Sequence, residues 1–292
     1  MRMDQQTRSD LTGIAWMVAT GLSFVAVSGI VRALDGALPA PQAAFIRFCF
    51  GLVFLGPVLV PALRTGFSGP VWRLFGLRGA LHLAAVVAWF YGVARIPVAE
   101  VTAIGYLNPV VVMVGAALFL GERISTRRMA AIAVAVLGAV IVLRPGIRAL
   151  DPGHLAQVAA VICFGTSYLV AKRLSLLASP AVVVAMMSLT VTVGLAPLAA
   201  AVWVPPTLAQ VAGLGLVAVF ATLGHYTMTR AFAAAPLTVT QPVTFLQLIW
   251  AALLGWFAFH EPLDAWVILG GALMIGAISY ITWREAGAEG AR

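Results

Sequence analysis

Long apolar runs, cut at intervals by Pro, Gly and Arg, follow one another from near the start of the chain to near its end. Each run is helix-length rather than strand-length. They fall at Leu11–Ala33, Gln42–Ala62, Leu74–Ala94, Val98–Phe119, Arg128–Leu143, Leu155–Lys172, Ala181–Trp203, Leu208–Thr229, Pro236–Phe259 and Leu263–Trp283. A bilayer-spanning helix needs roughly 20 apolar residues, so the pattern predicts an all-α integral membrane protein with ten transmembrane helices. The connections are a handful of residues each, which makes neighbouring spans antiparallel and leaves no room for a soluble domain. The first run, preceded by Arg2 and Arg8, reads as a span rather than a signal peptide, because it is long enough to cross and has a counterpart later in the chain.

Composition removes the main alternatives. Of 292 residues 62% are hydrophobic and 10% charged, whereas a soluble domain carries about 25% charged residues. The formal charge of +8 would suggest nucleic acid in a soluble chain, but here the cations are strung between and at the edges of apolar runs, where they orient a chain in the bilayer. With the N-terminus inside, cytoplasmic segments take Arg2, Arg8, Arg64, Arg73, Arg78, Arg123, Arg127, Arg128, Lys172, Arg173, Arg230, Arg284 and Arg292, and outer loops only Arg32, Arg95, Arg144 and Arg148. That bias predicts both termini in the cytoplasm. Cys49 and Cys163 lie inside apolar runs without CxxC spacing, so neither a disulfide, a metal site nor a cofactor is indicated.

The chain also resembles itself. Shifted by 139 residues, Pro97–Glu122 lies on Pro236–Glu261 without a gap: Pro97 meets Pro236, Leu107 meets Leu246, Asn108 meets Gln247 and Glu122 meets Glu261. A shift of about 141 brings Arg32 near Arg173. Each half then holds five spans, and an odd number sends the second half into the membrane from the opposite side. Inverted repeats of this kind place a solute site near the midplane, between halves. The predicted units are residues 1–146 and 147–292, around a central cavity.

Two five-helix halves, each closing with an apolar helix, a Glu and one more helix, resemble the EamA family of the drug/metabolite transporter superfamily. The first half shows this as Gly121-Glu122-Arg123 and then Arg127–Leu143 ending in Arg144-Pro145-Gly146. Within that superfamily the chain is most similar to bacterial ten-helix amino-acid exporters of the YddG type. The resemblance implies a basket-shaped bundle whose cavity is walled by spans 1–4 and 6–9, with spans 5 and 10 to the side. Aromatic amino-acid exporters of that type carry Tyr-Leu-Trp-Pro in span 4, whereas this chain has Tyr106-Leu107-Asn108-Pro109. An amide in place of an indole removes a stacking face and adds a donor and an acceptor.

Polar groups in a span should face the cavity or another helix, because lipid cannot solvate them. Thr240, Thr244 and Gln247 share one face of span 9, and Asn108 is the mate of Gln247 on span 4. Read functionally these are two walls that hydrogen-bond a solute; read structurally they tie helices together. Pro109 and Pro242 remove an N–H each and free the carbonyls of Gly105 and Thr238, which predicts kinks in the two repeat-related spans. Among rings, Trp16, Tyr106, Tyr168 and Trp250 are the chosen substrate contacts, while Trp72, Trp203, Trp266 and Trp283 near span ends read as an interfacial belt. His82 is the titratable group best placed to bind solute, with His225 a weaker candidate. Arg47, about two turns from the outer surface, is read as snorkelling outward in preference to meeting a substrate carboxylate. Glu122 and Glu261, at helix ends, are read as structural partners for Arg. Small residues every fourth position, Ala131, Ala135 and Ala139 on span 5 and Ala272 and Gly276 on span 10, predict close packing within the chain, so a monomer is favoured over a dimer.

The resulting expectation is a bacterial inner-membrane transporter exporting amino acids, aromatic and other neutral ones, and related small metabolites by alternating access. The substrate-binding residues are Trp16, His82, Tyr106, Asn108, Tyr168, Thr244, Gln247 and Trp250, with Pro109 and Pro242 as gating kinks. Transport of S-adenosylmethionine, a carboxylate or a cationic drug is the alternative within the class. The sequence carries no HExxH, no GxSxG and no paired acids inside a span, which argues against an intramembrane enzyme, and no acidic ring or filter-like segment of an ion channel.

Overall fold

The computed structural model describes residues 2–34, 36–120, 126–147, 149–174, 176–234, 243 and 246–289. Among the described residues all regular structure is helical: α1 (Arg2–Ala33), α2 (Ala40–Thr65), α3 (Gly69–Val93), α4 (Val98–Gly105), α5 (Asn108–Leu120), α6 (Thr126–Leu143), α7 (Pro152–Leu174), α8 (Pro180–Ala201), α9 (Leu208–Ala234), α10 (Leu246–Phe259) and α11 (Ala265–Glu289). Seven stretches are long and apolar enough to cross a membrane, and Met129–Leu143, Leu246–Phe259 and Ala265–Tyr280 are shorter apolar helices. Large apolar side chains face outward all round, Val53 at 73%, Leu118 at 73% and Phe257 at 69% exposure among them. Such a surface suits lipid and would aggregate in water.

Span 4, one kinked helix by its sequence pattern, is broken in two. α4 ends at Gly105, and Tyr106 and Leu107 close it with short bonds, their N–H groups donating to the carbonyls of Ala103 and Ile104. Pro109 then sits in the first turn of α5, where its missing N–H costs least. Pro242, the partner kink, lies outside the described residues.

The helices pack mainly in four pairs: α1 with α9, α3 with α7, α2 with α8, and α6 with α11. Each pair joins a helix before residue 146 to one after it. Contacts of α1 with α10 and of α5 with α7, and of α4 with α10, complete the bundle. One end gathers the C-termini of α1, α3, α6, α8 and α10 and the N-termini of α2, α4, α7 and α11, tied together by the polar contacts described below.

α6 buries the predicted Ala131, Ala135 and Ala139 stripe at 6%, 0% and 4% exposure. On α11 the expectation fails: Ala272 and Gly276 are exposed, and the buried face is Val267, Gly270, Gly271, Met274 and Ala277. The crossing point is Gly138 against Gly270, where a Cβ on Gly138 would stand 2.6 Å from the Gly270 carbonyl oxygen. Backbone cannot yield as a side chain can, so Gly138→Val is expected to cost about 1–3 kcal/mol, read as a lower melting midpoint in detergent. An unchanged midpoint would contradict this packing.

Candidate functional site

Four side chains in the middle of the bundle combine solvent access with protein on every side. Arg47 on α2 and His82 on α3 are half-buried, while Tyr168 on α7 and His225 on α9 are exposed, Tyr168 by 44%. All four are nonetheless densely surrounded by protein atoms. Surface that is open to solvent yet enclosed on all sides belongs to an internal crevice and not to the rim.

The sequence placed each of them there through helix length. At 1.5 Å per residue, His82 lies about 20 Å from the start of α3, and His225 about 25 Å from the start of α9. The His82 ring meets Phe164 of α7 edge to face at 5.0 Å and Phe48 of α2 at 6.1 Å; Phe164 in turn stacks on Tyr168 at 6.4 Å. The His225 ring meets Phe24 of α1 at 5.3 Å. The Arg47 guanidinium lies 4.3 Å from the Phe48 ring centroid, and both histidines stand in the electrostatic field of Arg47 and Arg78. The expected outward reach of Arg47 is therefore not what it does. Arg78, counted from sequence with the inner loops, is 6% exposed within α3 and donates to the Val183 carbonyl of α8 at 2.8 Å.

The other predicted residues make contacts of their own. Tyr106 shares a hydrogen bond with the Leu248 backbone, which links α4 to α10 across the break. Asn108 abuts Gly165 of α7, its Oδ1 3.5 Å from where a Cβ would stand, and Gln247 abuts Gly21 of α1 at 3.8 Å by the same measure. Trp250 packs beside Val25, Val98 and Ala251, with its indole N–H buried and unpartnered. Trp16 meets Tyr226 at 6.4 Å and lies under Arg230 at 5.2 Å, one turn from the Thr20 to Thr227 hydroxyl bond of 2.9 Å between α1 and α9. Thr244 lies outside the described residues. Phe164 is the central residue that the sequence pattern leaves unmarked, while Arg47 and Arg78 are expected from it to point toward water. A helix-by-helix alignment raises Phe164, because His82 and His225 are 143 residues apart and their partners Phe164 and Phe24 are 140 apart; the arginines carry no such signal.

The polar end of the bundle is a separate feature. Arg32 pairs with Glu261 at 3.1 Å and donates to the Ala94 carbonyl at 2.8 Å, while the second Glu261 oxygen accepts the Val98 N–H at 3.0 Å. Arg144 pairs with Asp264. The His154 ring lies between the Asp151 backbone, 3.0 Å from its N–H at Nδ1, and the Glu100 carboxyl, 2.6 Å from Nε2. Gln42 clamps both backbone groups of Val204. A cavity of about 270 Å³ opens beside these residues, between α4, α7, α10 and α11; it is lined by none of the predicted binding residues. Burial raises the Glu261 carboxyl above the usual glutamate range, outweighing the Val98 N–H and Arg32. The folded chain therefore holds this proton more tightly than the unfolded one, and that contribution to stability is lost as pH rises past the ordinary glutamate value.

This is the anatomy of a multi-pass helical membrane protein with a solvent-reaching polar centre. The chain belongs to the EamA-like transporter family, whose profile matches residues 10–144 and again 151–283. It is 31% identical to the riboflavin transporter of Rhizobium johnstonii over 282 residues, 94% of this chain and 92% of that one. It is 29% identical to the S-adenosylmethionine uptake transporter of Rickettsia bellii over 97% of both chains, and 28% identical to the pseudopaline exporter of Pseudomonas aeruginosa over 91% of this chain and 94% of that one. A crystal structure 18% identical in sequence shares the fold, with a TM-score of 0.62 over 97% of this chain and 99% of the other. Family and relatives are transporters of small molecules, and no enzyme is among those named.

Glu261→Ala strands the Val98 N–H and Arg32 together and is expected to cost about 2–3 kcal/mol. Glu261→Gln keeps an acceptor for Val98 and is expected to lose less than half of that. Equal melting midpoints for the two variants would remove the carboxylate from this role.

Proposed function

We propose that the chain is a bacterial inner-membrane transporter of ten spans, built from inverted halves at residues 1–146 and 147–292 with both termini cytoplasmic. It works as a monomer and exports amino acids, aromatic and other neutral ones, and related small metabolites by alternating access. The observation that carries the reading is the set of helix pairings. Exchanging the two halves maps α1 with α9 onto α7 with α3 and leaves α2 with α8 and α6 with α11 unchanged, as a two-fold axis between the halves requires. The inversion is further supported by direction, since α1 ends and α7 begins at the same end of the bundle. The double family match supports the same division.

Alternating access has a matching pair of gates. The Arg32–Glu261 contact closes the end that this topology makes periplasmic. The repeat register gives Arg173 and Glu122 the corresponding places at the other end; Glu122 lies outside the described residues. Each gate forms as the other opens. Amino-acid export is supported by the mixture of amides, hydroxyls and rings on α4, α5, α7 and α10 and by the absence of a carboxylate in any span interior, which leaves no group to capture a fixed cation. S-adenosylmethionine is the second reading, on 29% identity over nearly the whole chain.

Counterflow in proteoliposomes tests this. Labelled phenylalanine and other neutral amino acids are expected to exchange above protein-free vesicles, with excess S-adenosylmethionine and riboflavin displacing them poorly. His82→Ala and Gln247→Leu should each raise the half-saturating concentration about tenfold, equivalent to 1.4 kcal/mol. No amino-acid flux, or unchanged saturation in both variants, overturns the reading.

A further inference from the structure

Arg47 and His82 meet on the Phe48 ring, at 4.3 and 6.1 Å from its centroid, Arg78 lies one turn before His82 on α3, and His225 of α9 stands in the field of both arginines. A buried cation normally has an acid or a carbonyl as its partner. Here the acids are absent. Among the described residues outside the terminal segments, the acids Glu100, Asp151, Glu261 and Asp264 lie in connections or in the first turn of a helix. None falls at the depth of the four groups. Carbonyls satisfy only part of the demand: Arg78 reaches Val183, but its Nε is buried without a partner, and so is Nδ1 of His82.

The histidines are arranged as mates. His82 of α3 stands edge to face on Phe164 of α7, and His225 of α9 on Phe24 of α1. Helices three and one of opposite halves supply each pair, so the two rings flank the axis relating the halves. Whatever the tautomer, each ring offers an N–H donor. Arg47 adds a planar donor fork, and such a fork matches a carboxylate in a way an ammonium does not. The arginines have no such mates: Ser188 and Ala221 stand at the related places. The positive charge is therefore weighted to α2 and α3. Beside it, Phe164 and Tyr168 stack 6.4 Å apart with 18° between their planes, and Tyr168 exposes 44% of its surface to the crevice. That is an aromatic wall next to a cationic floor.

We propose that Arg47, Arg78, His82 and His225 form an anion-binding centre that takes the carboxylate of the solute, while Phe164 and Tyr168 hold its apolar or aromatic body. The proposal rests on the transporter reading above and sharpens it: the carboxylate is what is recognised, the ammonium of an amino acid is dispensable, and an organic cation is repelled. The ligand class is the carboxylate-bearing organic anion, with the zwitterion as its weaker relative.

A charge series on one ring tests it. Binding of 3-phenylpropionate, phenylalanine and phenethylamine to the purified full-length protein in nanodiscs is followed by calorimetry, alongside counterflow of labelled phenylalanine. The anion is expected to bind at least tenfold more tightly than the amine, with phenylalanine between them. Arg47→Gln should close most of that gap and Arg47→Lys keep much of it, with His225→Gln weakening the anion several-fold. Equal affinities across the wild-type series, or preference for the amine, overturn the centre without recourse to any variant. The same follows if the gap persists in Arg47→Gln and His225→Gln. Phenylalanine counterflow without an anion preference leaves transport standing and removes the centre. Tight 3-phenylpropionate binding without phenylalanine flux keeps the centre and removes amino-acid export.

Discussion

In hydrocarbon every backbone amide must find its partner inside the protein, and each regular element among the described residues answers that demand by being helical. The one described interruption within a span shows how narrow the tolerance is. Between Gly105 and Asn108 the helix stops, Tyr106 and Leu107 fall back on short bonds to Ala103 and Ile104, and Pro109 begins the next segment with the N–H it lacks placed where none is needed. Such a break survives only where protein or a wet cavity covers it. Here α7 and α10 do so, through Gly165 against Asn108 and through the Leu248 backbone against Tyr106.

The same rule governs side chains and separates two kinds of charge. At the α3–α4 end the cations have acids: Arg32 with Glu261 and Arg144 with Asp264. These pairs tie helix termini together and need no ligand. In the centre the cations have rings, a carbonyl and solvent. Deep charge without a counter-charge is costly, and Arg47 and Arg78 make no ion pair with an acid among the described residues.

Much of the architecture was legible because hydrophobic length and loop brevity are one-dimensional signals. Seven of the predicted runs coincide with helices long and apolar enough to span, three others are met by shorter apolar helices, and the belt tryptophans Trp72, Trp203 and Trp266 lie exposed at or beside helix ends. The centre was harder to read. Depth assigned His82 correctly to the interior, but the direction of a long flexible side chain is not in the sequence, and Arg47 and Arg78 were both sent toward water. A single shift of 139 residues aligned the fourth spans and hid the third, whose register is 143, so the kinship of His82 and His225 went unseen. The small residues of α11 misled for a related reason: Ala272 and Gly276 have the right spacing on the wrong face, whereas Gly270 is the residue that meets Gly138.

Opposed insertion of the two halves is the proposal that joins the gates, the paired histidines and the central crevice. It is tested most directly at the repeat-related connections between α2 and α3 and between α8 and α9, where Ser68 and Thr207 are both exposed. With Cys49 and Cys163 replaced by Ala, Ser68→Cys and Thr207→Cys are labelled in cells by a membrane-impermeant maleimide. The account predicts that Thr207→Cys reacts in intact cells and Ser68→Cys only after the membrane is opened. Labelling of both positions from the same side would contradict it.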